Sequence, residues 1–195
     1  MKILILAAAP IELGSFDLSH INVKVVFTGI GKLNAFKATR KALRGNHYDA
    51  VINIGTCGSD KFPVGTVLKP SLVQQGDAFL LHDLECREFT VNGDPGISIL
   101  TGDNFISKVY VPGKGLALPE KAQRFSAFDM ESFAIASAAS FMLKKLHFIK
   151  IVSDNLDSSL EDWEKSAERL ASKLVFETES FIRKNFIKNY SVSKK

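Results

Sequence analysis

The chain has 195 residues, 46% hydrophobic and 24% charged, the composition of an ordinary globular protein with room for one sizeable core. Two cysteines, Cys57 and Cys86, are too few for a disulfide framework; they suit a reducing, cytoplasmic setting. No apolar run reaches membrane-span length. The net charge of +4 is met by a basic end that includes Arg183, Lys184, Lys188, Lys194 and Lys195, with no basic-aromatic stripe, so neither nucleic acid nor membrane is expected as a partner.

In chain order, the apolar run at residues 2–9 reads as a buried strand of a parallel sheet rather than a signal peptide, because Pro10-Ile11-Glu12 follows at once. Val23 to Thr28 predicts a second strand, ended by Gly29-Ile30-Gly31. Lys32 to Leu43 predicts a helix on which Leu33, Phe36 and Leu43 share a face. Asp49 to Gly55 predicts a strand running into a loop, Thr56-Cys57-Gly58-Ser59-Asp60. Val64 to Val73 and Asp77 to Leu81 predict strands about a turn at Gln74-Gln75-Gly76. Glu88 to Val91 predicts another, before a turn at Asn92-Gly93-Asp94-Pro95-Gly96. Ile97 to Thr101 predicts a short strand, and Tyr110 to Glu120 a loop. Phe125 to Asp129 predicts a strand leading into one long helix, Met130 to Lys145. Phe148 to Ser153 predicts a strand, and Leu160 to Lys188 a long amphipathic helix. The expected fold is a single-domain, three-layer α/β/α architecture with a central mixed sheet over residues 1–188, followed by a basic tail at 189–195.

Ligands of open α/β sheets gather beyond the carboxyl ends of the strands. Here those ends carry Glu12, Gly29 to Lys32, Gly55 to Gly58, Gly102-Asp103-Asn104-Phe105, Asp129-Met130-Glu131 and Ser153-Asp154. Each carboxylate has a bland reading: Glu12 and Glu131 in the first turn of a helix, Asp154 as an N-cap. Together on one rim they repel, which favours a chemical role. Gly29-Ile30-Gly31-Lys32 lacks the spacing of a phosphate loop and of the dinucleotide fingerprint. His20, His47, His82 and His147 lack ligand spacing, so no metal and no cofactor is expected.

At these residues the sequence resembles the nucleoside phosphorylase/nucleosidase superfamily, and within it the 5′-methylthioadenosine/S-adenosylhomocysteine nucleosidases. The resemblance is carried by Glu12 after the first strand, Thr28-Gly29-Ile30-Gly31-Lys32, Asn53-Ile54-Gly55-Thr56-Cys57-Gly58, Thr101-Gly102-Asp103-Asn104-Phe105-Ile106, Asp129-Met130-Glu131 and Ser153-Asp154. Each match is weak alone; six in the right order are strong. The resemblance implies hydrolysis of the N-glycosidic bond of a purine nucleoside, releasing adenine, in a homodimer. It implies Asp154 as the acid at purine N7, preceded by Ser153, and Glu12 as the base for water. It gives Phe105 the stacking position and the Ile106 backbone the base edge. Met130 and Glu131 would hold the ribose, next to Asp129. Thr56 and Lys150 match positions that hold the water or the sugar.

Phosphorylases of the superfamily bind phosphate with arginines, and one such place is Asn53 here, so charge favours water over phosphate. Asn at the Asp154 position would be expected of a futalosine hydrolase. The remaining alternative is a non-catalytic nucleoside-binding protein on the same fold. The chain is shorter than the family norm, with a reduced connection through Asp17 and Asn22 and a cut segment between Gly58 and Gly102. Asp129 stands for a usual glutamate and Lys150 for a usual arginine.

Overall fold

The computed structural model describes residues 1–14, 22–77, 87–104, 106–111, 115–156 and 160–187. The shortened connection around Asp17, most of the expected strand at Asp77 to Leu81, His20, His82, Cys86, Phe105 and the basic tail lie outside the described residues.

The first apolar run forms strand β1 (Lys2–Ala7), parallel to β2 (Asn22–Phe27) on one side and to β3 (Ala50–Gly58) on the other. The rest of the main sheet comes from β4 (Val67–Leu68), β5 (Pro70–Gln75), β6 (Glu88–Thr90), β7 (Asp94–Thr101), β10 (Ala127–Asp129) and β11 (Leu146–Asp154). These nine strands run β2-β1-β3-β10-β7-β5-β6, with β11 paired to β3 and β4. The sheet is mixed: β10 is antiparallel to β3 and parallel to β7. A separate hairpin joins β8 (Val109–Val111) to β9 (Gly115–Ala117).

Alternation along the strands builds two cores. Leu4, Leu6 and Val51 pack with α1 (Lys32–Leu43) and α2 (Ser132–Ala138) on one face. Ile3, Ile5, Ile52, Ile54, Ile149 and Ile151 pack with α3 (Leu160–Phe186), through Leu174 and Ile182, on the other. Strands covered on both faces read as continuous apolar runs. Each such side chain contributes roughly 1.5–3 kcal/mol. The expected three-layer α/β/α fold is the one observed. Among the described residues no helix is long and apolar enough to cross a membrane.

Local expectations fail where tertiary pairing outweighs local signals. Thr56-Cys57-Gly58 is strand rather than loop, because β11 runs beside it with Ile151 opposite Thr56 and Val152 opposite Cys57. Gln74 and Gln75 belong to β5 rather than to a turn, since both pair with β7. Asp94-Pro95-Gly96 also lies in a strand; Pro95, which has no N–H, falls where the β5–β7 register shifts. The expected loop at Tyr110 to Glu120 contains the β8–β9 hairpin. The expected long helix stops after α2 and continues as a 3₁₀ segment, Ser140–Lys145, kinked at Met142; none of that segment is fully buried, and only Met142 and Leu143 pack against the core. On α1 the buried residues are Ala35, Thr39, Ala42 and Leu43, whereas Leu33 and Phe36 are 63% and 39% exposed. Close packing of α1 against α2 selects the small side chains.

Candidate active site

Strand ends deliver the carboxylates to one cavity. Pro10 sets the first turn of a 3₁₀ segment, Pro10–Glu12, immediately after β1. Glu12 folds back so that its Oε2 accepts from Ala8 N (3.1 Å) and Ala9 N (3.3 Å). Its Oε1 accepts from Thr56 N and Thr56 Oγ1, both at 2.8 Å. Glu12 is 3% exposed. Four donors face its two oxygens, three of them main-chain. The close approach also explains Gly55: a Cβ there would lie 2.9 Å from Glu12 Oε1.

Glu131 and Asp129 flank Met130 where β10 meets α2. Glu131 sits at the helix N-cap yet makes no capping bond. Its Oε1 accepts instead from Gly31 N at 2.9 Å, across 100 residues of sequence. Gly31 has φ +91°, a conformation that suits glycine and aims this N–H at Glu131. Asp129 performs the capping, accepting from Ser132 N (3.1 Å) and the Ser132 hydroxyl, and also from Thr101 Oγ1 (2.7 Å). Lys150, 1% exposed, places Nζ 2.9 Å from Asp129 Oδ2. Burial disfavours its ammonium, but Asp129, Glu131 and Glu12 together outweigh that and raise its pKa.

Burial first, and then the charge of Asp129, push the Glu131 carboxyl from 4.5 up to about 7, against the opposing pull of Lys150 and the Gly31 N–H. The folded chain therefore keeps this proton where the unfolded chain has lost it. Its contribution to stability is full below about 4.5 and is lost as pH rises through about 7. Glu131→Gln removes that loss. Thermal melts across pH are expected to show the variant gaining several degrees over the unsubstituted chain between about pH 5 and about pH 8. Parallel curves would mean that Glu131 is ionised throughout.

Asp154 ends β11. Its Oδ1 accepts from Leu156 N (2.9 Å) in a tight turn, and its Oδ2 faces Ser153 Oγ at 2.8 Å. The same Ser153 hydroxyl lies 3.3 Å from the Cys57 carbonyl oxygen. One hydroxyl proton cannot serve both acceptors. With Asp154 ionised it points to Asp154; with Asp154 protonated it turns to Cys57 while Ser153 accepts from the acid. Both protonation states of Asp154 are thus accommodated without moving a heavy atom.

Glu12, Thr56, Ile106, Asp129, Met130, Glu131, Ser153 and Asp154 all line a cavity of about 290 Å³. Phe128, Leu156 and Ile30 supply apolar wall. Of the residues singled out in the sequence, Lys150 lies behind Asp129 rather than on the cavity surface, and Phe105 is outside the described residues. Sequence reasoning missed Trp163, which lines the cavity from the first turn of α3. Its amphipathic helix offered a structural explanation for any aromatic on it. Cys57 also lines the cavity, but burial pushes its thiol far above the usual range, so it is no nucleophile.

No family model and no curated sequence matches the chain. Solved structures do. The S-adenosylhomocysteine nucleosidase of Streptococcus pyogenes, in complex with 5-methylthiotubericidin, superposes with a TM-score of 0.73 at 18% identity, over 96% of this chain and 98% of that one. The 5′-methylthioadenosine/S-adenosylhomocysteine nucleosidase of Neisseria meningitidis, with methylthio-immucillin-A, gives 0.74 at 19% identity, over 94% and 99%. This chain has the nucleosidase fold. The corresponding nucleosidase from Colwellia psychrerythraea, in complex with adenine, gives 0.68 at 23% identity, over 90% and 93%. The nucleosidase fold is therefore shared across almost the whole of both chains in each pair, and the cavity lies at the carboxyl ends of its strands, where such sheets bind ligands.

Proposed function

We propose that the chain hydrolyses the N-glycosidic bond of a purine nucleoside, 5′-methylthioadenosine or S-adenosylhomocysteine, and releases adenine. The observation that carries this reading is the convergence of Glu12, Glu131 and Asp154 on one cavity with an apolar wall. Three structural neighbours in complex with adenine or nucleoside analogues support it.

In this reading the purine lies against Phe128 and Ile106, with N7 toward Asp154. As the C1′–N9 bond lengthens, its electrons pass to the purine and Asp154 gives its proton to N7. The Ser153 hydroxyl turns back from Cys57 to the new carboxylate. The sugar becomes oxocarbenium-like; the negative charge of Asp129, joined by that of Glu131 above about pH 7, stabilises it. Water adds to C1′ and passes a proton to Glu12. Thr56 fixes the Glu12 carboxylate, Met130 closes over the sugar, and Lys150 holds Asp129 in place from behind. Phe105 remains part of the proposal as the stacking residue.

Water is favoured over phosphate by charge. Among the described residues no Lys or Arg lines the cavity, while carboxylates do. Phosphate dianions are recognised by cationic pairs. The decisive experiment measures free base from methylthioadenosine, S-adenosylhomocysteine, adenosine, inosine and futalosine, with and without phosphate. Adenine release without phosphate is expected. Release only with phosphate would make the chain a phosphorylase. No release, with a nucleoside-induced rise in melting temperature, would make it a binding protein.

A homodimer in the cytoplasm belongs to the same proposal. Phe27, Ile30, Leu33 and Phe36 expose apolar surface on one strand-turn-helix segment, and Ile30 also lines the cavity. Sedimentation velocity on the purified chain reads the mass, and a monomer at all concentrations would remove this part.

A further inference from the structure

Trp163 donates its indole N–H to Thr56 Oγ1 at 2.9 Å, and Thr56 Oγ1 lies 2.8 Å from Glu12 Oε1. The ends of this three-residue chain have fixed polarity. An indole N–H only donates, and an ionised carboxylate only accepts. The hydroxyl between them has one proton and a free rotor, so its direction is set by its neighbours. With one lone pair taken by Trp163, its proton goes to Glu12. Without Trp163, the same hydroxyl could turn into the cavity and compete with Glu12 for the attacking water.

We propose that Trp163 is a positioning residue of the hydrolytic site, acting through Thr56 to keep the hydroxyl proton on Glu12 and to leave Glu12 as the acceptor for water. This rests on the hydrolytic reading above. It also ties the first turn of α3 to the catalytic carboxylate, since Trp163 lies near the start of that helix. The effect is on the chemical step. The ring of Trp163 lines the cavity, but its N–H is committed to Thr56, so removing that N–H while keeping an aromatic ring alters turnover more than nucleoside affinity.

The test is a double-mutant cycle on base release. Trp163→Phe keeps an aromatic wall and removes the N–H; kcat is expected to fall about three- to tenfold with KM changed less than about twofold. Thr56→Val removes the relay, and in that background Trp163→Phe is expected to have no further effect on kcat. Because the chain has a single tryptophan, growth on the benzothiophene isostere of tryptophan replaces N–H by S at this one position. The same fall in kcat is expected of that protein, and it decides the matter if Trp163→Phe does not fold. Equal losses in both backgrounds, a rise in KM alone, or an unchanged kcat would each overturn the inference while leaving hydrolysis standing. No base release from the unsubstituted chain would overturn the hydrolytic reading and this inference with it.

Discussion

Asp154→Asn is expected to reduce base release by about 10²–10⁴-fold while the protein folds and still binds adenine. The amide cannot deliver a proton to purine N7, and a purine anion is a poor leaving group. The fold tolerates the change for a local reason. The amide oxygen can keep the bond from Leu156 N at 2.9 Å, and the amide nitrogen can donate to Ser153 Oγ, which then turns its proton to the Cys57 carbonyl at 3.3 Å. No buried polar group loses its partner, so stability should stay within about 0.5–1 kcal/mol of the unsubstituted chain. Measured kcat/KM on methylthioadenosine, with the adenine-induced shift in melting temperature as a binding control, separates the two effects. Full activity in the Asp154→Asn variant would remove Asp154 as the acid.

Glu12→Gln is expected to lose both rate and stability. The rate should fall about 10²–10⁴-fold because an amide cannot take the proton of the attacking water. The stability argument is independent of catalysis. Donors face both carboxylate oxygens: Thr56 N and Oγ1 at Oε1, Ala8 N and Ala9 N at Oε2. Whichever way the glutamine amide turns, its NH₂ meets two donors, and each unmet buried donor costs about 1–3 kcal/mol. A fall in melting temperature of roughly 5–10 °C is expected, read by thermal melts, with rates measured well below the transition. A stable, fully active variant would show that these donors do not face an ionised carboxylate and that water is activated elsewhere.

The two substitutions differ because the carboxylates are held differently. Glu12 is gripped mostly by main-chain N–H groups, whose direction cannot adapt. Asp154 shares a hydroxyl that can donate either way. That difference in how the two carboxylates are held supports the proposed assignment of Glu12 as base and Asp154 as acid.

Much of this was legible in the sequence. The apolar runs that became β1, β3 and β11 and the amphipathic stretch that became α3 are local signals, and strand ends can be located from them. Glu12, Glu131 and Asp154 stood at such ends, and in an α/β sheet strand ends share a rim. Glu131 as a helix-dipole residue was the reading that sequence could not dismiss. The structure turns the Glu131 side chain onto Gly31 and gives the capping bond to Asp129.

Sequence by itself determined the order of elements, the α/β class and which carboxylates could meet, because hydrophobic period and turn chemistry act over a few residues. Tertiary structure alone decided the partners. Lys150 went behind Asp129, Trp163 reached Thr56 across 107 residues, and Leu33 and Phe36 turned outward when the small side chains of α1 took the contact with α2. Such pairings follow from how layers pack and where a donor finds an acceptor, and no local pattern encodes a contact between residues so far apart in the chain.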